Sequence, residues 1–201
     1  MKISRKINKG LVLTLIVLVI LITYLIIQEI ERGKEKESII KSCEEYIDFI
    51  DKYSVFPENY QTVKTTITEE ELKKYIETFK QECKQFTISN ESVIDIQAKV
   101  ISSNLEYTEL SDFSITTKFD RKIKKIKSYE FDGNQVTVTL ENDVKKEVKS
   151  NDAVTGEEVT NSNEFTATED TITLQKEDGK WKIVYANLQN MSDNEYDMVE
   201  M

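Results

Sequence analysis

The chain has 201 residues, 27 Lys+Arg against 37 Asp+Glu for a net charge of −10, no His, two Cys, five Gly and one Pro. Without His there is no Ser-His-Asp or Cys-His nucleophile and no His-ligated zinc or haem, and two Cys cannot build a four-cysteine metal centre. The sequence contains neither GxGxxG nor GxxxxGK[ST], and an acidic chain lacks a basic footprint, so no cofactor, no metal and no nucleic acid is expected.

Residues 1–10 (MKISRKINKG) carry Lys2, Arg5, Lys6 and Lys9 and no acid, a local +4, which leaves −14 on the rest of the chain. From Leu11 to Ile27 the sequence reads LVLTLIVLVILITYLII, 17 residues without a charge. At about 1.5 Å per residue that run spans roughly 26 Å, close to a ~30 Å hydrocarbon core. A cleaved signal peptide needs a small-residue cleavage site, and the first Ala in the chain is Ala98. A core helix keeps one polar face. The pattern therefore predicts a transmembrane helix over residues 11–28, with the lipid bilayer as its partner. The basic flank places residues 1–10 in the cytosol and the remainder outside, as a single-pass protein of the cell membrane.

A charged stalk follows over 29–37, with Gly33 as its expected break, and then a single domain over 38–190. In Ser38–Ser54 the residues Ile39, Ile40, Cys43, Tyr46, Ile47, Ile50 and Tyr53 recur at helical spacing. Phe56 and Pro57 end that helix. Thr68-Glu69-Glu70-Glu71 reads as a capping box, opening a second amphipathic helix with the stripe Leu72, Tyr75, Ile76, Phe79, Cys83 and Phe86.

After Thr87 the period changes from 3.6 to 2. Ile94, Ile96, Ala98 and Val100 alternate with polar residues and predict a strand, whereas Glu106–Ile115 is ambiguous. Lys125–Phe131 and Gln135–Lys149 form a hairpin about Asp132-Gly133-Asn134, with a slip at Glu141–Asp143. Phe165–Lys176 and Lys180–Leu188 form a second about Glu177-Asp178-Gly179, with Trp181, Ile183 and Tyr185 facing inward. The acidic tail over 191–201 is expected to be disordered.

Helices followed by antiparallel hairpins make an α+β domain: an N-terminal transmembrane helix, then two amphipathic helices packed on a curved antiparallel sheet. With its final strand Asp178-Gly179-Lys180-Trp181-Lys182-Ile183, this order resembles the nuclear transport factor 2-like superfamily, in membrane-anchored extracytoplasmic proteins of Gram-positive bacteria. The resemblance implies a cone-shaped domain over residues 38–190 and a third helix, which Glu106–Phe113 would supply. It also implies an interior that in some members holds a small molecule or runs isomerase or dehydratase chemistry. Asp95, Tyr107, Tyr129, Tyr185 and Trp181 are the candidates to line such a cavity.

Two further groups stand out. Cys43 and Cys83 lie on the apolar faces of consecutive helices, and either a disulfide or two buried thiols fits them. Lys118, Arg121, Lys122, Lys124, Lys125 and Lys127 form a basic cluster, which fits either contact with a polyanion or acidic partner, or a solvated strand face. No catalytic residue is assigned. The sequence points to a non-catalytic binding or scaffold protein of the bacterial envelope, with protein partners or a homo-oligomer and the layout of small conjugative-secretion subunits. A small-molecule-binding cone is the alternative.

Overall fold

The computed structural model describes residues 9–55, 57–61, 68–111, 114–152 and 154–189. The start of the basic segment (1–8), Phe56 and the acidic tail (191–201) lie outside the described residues. The chain divides into two compact units, Met1–Ile40 and Lys41–Met201.

The first unit is helical from Lys9 onward, as the beginning of helix α1 (Lys9–Tyr53). The expectation of a transmembrane helix over 11–28 is corrected here. Among the described residues, no helix is long and apolar enough to cross a membrane. The expected break at Gly33 is also absent: α1 continues through the charged residues to Tyr53.

The second unit is α+β, with helices first and sheet second. After the end of α1 come a short 3-10 turn (Glu58–Tyr60), α2 (Glu69–Cys83) and α3 (Glu91–Ser111). The capping box is formed as read: the Glu71 amide donates to the Thr68 hydroxyl (3.3 Å) and the Thr68 amide to the Glu71 carboxylate (3.0 Å). An aromatic seam joins α1 to α2. Phe49 stacks on Phe79 (5.2 Å between centroids) and on Phe86 beyond α2 (4.7 Å), and Tyr53 meets the edge of Phe79 (5.0 Å). Each such pair contributes on the order of 1 kcal/mol beyond its buried area.

Helix α3 overturns the strand expected across Val93–Val100. Ile94, Ala98 and Ile101 are buried, at i, i+4 and i+7, while Ile96 is 58% exposed and Val100 also faces solvent. Four alternating apolar residues satisfied both periods, and packing selected the helical one. The segment before Ser111 thus joins one long helix, so the described residues form three long helices, α1, α2 and α3, rather than the two expected from the residues.

The sheet is an antiparallel meander in the order β1-β2-β3-β4 (Ser114–Asp132, Gln135–Asn151, Glu158–Glu177, Lys180–Asn187). At the β3–β4 turn, Asp178 (φ 49°) and Gly179 (φ 78°) both lie in the left-handed region, as a two-residue type I′ turn requires. Residues 86–88 run parallel to β4 and cover its edge, through Ile183 N–H to the Phe86 carbonyl (2.8 Å) and Ile88 N–H to the Ile183 carbonyl (3.0 Å). The inner face presents Val136, Val138, Leu140, Ile172, Leu174, Trp181 and Ile183, all buried, as are Tyr46, Ile47, Phe79 and Cys83 of the helices.

The expected slip near Glu141 is real. Between Leu140↔Asp170 and Asn142↔Ala167 the register breaks, and Thr168 and Glu169 are left over on β3. A second break, between Thr173↔Tyr185 and Leu174↔Ile183, places an extra residue, Val184, in β4. It turns Tyr185 to the outer face, 53% exposed, which corrects its expected inward placement.

Ile94→Ala should cost about 2–4 kcal/mol by urea denaturation. Ile96→Ala should stay within about 0.5 kcal/mol of the parent. A strand at this position would make the two substitutions equal in effect.

Candidate functional site

The inner face of the sheet is apolar except at one end, where Arg121 is fully buried. β1 supplies it opposite Val144 of β2. Its Nη1 lies 3.3 Å from Asp51 Oδ1 on α1, and its Nε lies 3.5 Å from Asp170 Oδ2 on β3. Its Nη2 donates to the Gln189 carbonyl just beyond β4 (2.7 Å). The second anchor is Asp170. It accepts from Asn142 Nδ2 (2.6 Å) and from the Gln189 backbone amide (2.7 Å).

The cluster therefore joins α1, β1, β2, β3 and the segment after β4. Regular strand alternation explains its position: Asp170 follows Leu174 and Ile172 on the inward face, opposite Leu140 and within reach of Asn142, and the register break just beyond it turns Ala167 inward against Asn142. The flat, forked guanidinium addresses three acceptors at once, which a lysine ammonium could not do from one fixed position. The Phe119 ring lies 5.2 Å from Arg121 Cζ and adds a cation–π contact. Burial pushes the Asp51 carboxyl up to about 6, with Arg121 pulling the other way.

Sequence reasoning placed Arg121 in a basic surface cluster and missed Asp51, Asn142 and Asp170. The signals were present. Arg121 is the single Arg after residue 32. Asp51 lies four residues after Ile47, on the apolar stripe. Asn142 and Asp170 occupy inward positions of strands that are otherwise aliphatic on that face.

The rest of the basic cluster does not form one open cationic face. Lys118 pairs with Glu147 (2.9 Å) and Lys122 with Asp120 (3.1 Å), while Lys124 bridges Glu141 and Asp143 (3.3 Å each). Lys127 binds Glu169 and the Thr168 carbonyl, and Lys125 is exposed. This is a charge-paired edge strand, the arrangement that discourages edge-to-edge association.

The proposed cavity residues do not converge. Asp95 is on α3 and pairs with Lys80 of α2 at 2.9 Å, beside a polar groove of about 230 Å³ that also involves Glu77, Lys84 and Glu91. Tyr129 stands on β1 and Trp181 on β4, the opposite edges of the sheet, about 14 Å apart at ~4.8 Å per strand. Tyr185 faces outward, and the side chain of Tyr107 lies outside the described residues. Among the described residues, no cluster of His, Cys, Asp and Glu suited to a metal ion occurs.

Both cysteines are free and buried, so of the two alternatives the structure has the thiols. Burial pushes Cys43 up to about 12 and Cys83 up to about 11, which keeps both protonated and poor nucleophiles at neutral pH.

No family model and no curated protein matches the chain. Among solved structures, it is similar to the intermembrane space region of the chloroplast protein ARC6, at 13% identity over 61% of this chain and 97% of that one, with a TM-score of 0.26. A score that low assigns neither fold nor function.

Arg121→Ala should destabilise the domain by about 3–5 kcal/mol in urea, because it strands two carboxylates in the core. Iodoacetamide should label neither cysteine in the native protein. It should label both after unfolding without reductant; protection after unfolding would reveal a disulfide instead.

Proposed function

We propose that the folded domain, with its described part over residues 41–189, is a non-catalytic binding or scaffold module built in the nuclear transport factor 2-like manner. The observation that supports this reading is the use made of the buried polar groups. Arg121, Asp51, Asp170 and Asn142 hydrogen-bond to each other and to the Gln189 backbone inside the core. The two thiols are held protonated, and burial also drives Tyr46 and Tyr53 well above the usual phenol range. A general acid or base needs a group poised near neutral pH and open to substrate. These groups are committed to the fold.

Two features support this reading: helices placed before a four-stranded meander, and Trp181 buried two residues after Gly179.

A binding module also needs a surface that is cheap to dehydrate. In a chain that is 32% charged, the outer face of the sheet centre is neutral. Gln135 donates to Gln175 (2.9 Å), Thr137 and Thr173 share a hydrogen bond (3.0 Å), and Ser128 donates to Thr139 (3.2 Å). Tyr185 stands beside Thr173. Interface centres are depleted in charge and enriched in Tyr, so a protein partner docks here at lower desolvation cost than on the Lys- and Glu-rich rim.

Crosslinking in intact cells followed by mass spectrometry tests the reading. Crosslinked species should form through the outer face, and the double variant Thr173→Lys, Tyr185→Glu should lose them by tenfold or more while keeping the parent's melting temperature within a few degrees. Recovery of uncrosslinked monomer from the parent would refute the scaffold reading.

A further inference from the structure

We propose that Asp51, Arg121 and Asp170 form a proton-controlled clasp on the end of β4. With Asp51 protonated, the buried cluster is neutral and holds Gln189 by both backbone groups; with Asp51 ionised, it carries a buried net negative charge and loosens that hold.

The geometry supplies the clasp. Gln189 is gripped twice, its amide by Asp170 (2.7 Å) and its carbonyl by Arg121 (2.7 Å). The same guanidinium faces Asp51 at the longer distance of 3.3 Å. Asp51 and Asp170 are both buried, and Arg121 is fully so. One guanidinium balances one carboxylate, so two ionised carboxylates leave a charge uncompensated in the core. The charged groups facing Asp51 are Arg121 and Asp120 from β1 and Asp48 from its own helix, with Asp170 of β3 on the far side of the guanidinium. The two additional acids each oppose ionisation.

Both consequences of ionisation reach Gln189 in the same sense. An uncompensated buried charge raises the free energy of the closed cluster, and opening to water relieves it. An ionised Asp51 also draws the guanidinium toward itself and away from the Gln189 carbonyl.

The direction of the pH response follows from linkage. The Asp51 carboxyl is pushed up to about 6 from an ordinary value near 3.8. Between those values the folded state holds a proton that the unfolded state releases. Stability is therefore complete below that window and declines as pH rises through about 6. The clasp fastens the segment just after β4 to β1 and β3, so it governs how firmly that segment is held against the domain.

Amide hydrogen exchange on the full chain, followed residue by residue by NMR and corrected for intrinsic rates, provides the test. From about pH 5 to about pH 7.5 the protection of the Gln189 amide should fall at least about tenfold, the effect of one pKa unit. The Val138 amide in the core of β2 should stay better protected than Gln189 at every pH, and D51N should flatten the Gln189 profile. A flat Gln189 profile in the parent, Gln189 protection equal to that of Val138 at every pH, or a D51N chain that keeps the pH dependence would overturn the clasp. If D51N does not fold, titration of the Asp51 carboxyl carbon in the unaltered chain decides: a midpoint coinciding with that of Gln189 supports it, and any other midpoint overturns it.

Discussion

A single buried guanidinium organises this domain. Arg121 cannot leave its charge unpaired in a low-dielectric interior, so its position dictates where acceptors must be. Those acceptors come from α1, β3 and the segment after β4, elements that are far apart in sequence. The apolar contacts along the sheet are individually tolerant of sliding. The Arg121 contacts are not, because a shift of about an ångström breaks hydrogen bonds that nothing else in the core can replace. The cluster thus fixes one arrangement among the many an aliphatic face would accept.

The register break in β3 lies just beyond that cluster. The pairing runs evenly from Gln135↔Gln175 to Leu140↔Asp170, so Asp170 faces inward by the same alternation as Ile172 and Leu174, and its carboxylate meets Asn142. Past it, Thr168 and Glu169 together stand opposite Glu141, and the bulge turns Ala167 inward against Asn142, where an unbroken ladder would set Thr168. A comparable break in β4 moves Tyr185 to the neutral outer face. The irregularities of this sheet therefore set a small side chain beside the buried cluster and place the surface offered for binding.

Much of the fold was legible from local patterns. The Thr68–Glu71 capping box, the two Gly-containing hairpin turns and the apolar stripe of α2 were read correctly, because each rests on contacts within a few residues. The α3 segment was misread because Ile94, Ile96, Ala98 and Val100 fit two periods, and only burial against the rest of the domain distinguished them. The basic run was misread for a related reason. Six cations in ten residues look alike in sequence, yet strand alternation and the bulges of β1 send Arg121 inward and leave the lysines to pair outside.

The sequence by itself determined the class of molecule: an acidic α+β chain without His, without the cysteines for a four-cysteine metal centre and without a glycine-rich phosphate loop. Composition and short-range spacing suffice for those conclusions. Tertiary structure alone decided that Cys43 and Cys83 remain thiols and that Asp51, Arg121 and Asp170 meet. Each of these depends on groups brought together from distant parts of the chain, where desolvation and partner geometry set the outcome and local periodicity carries no record of either.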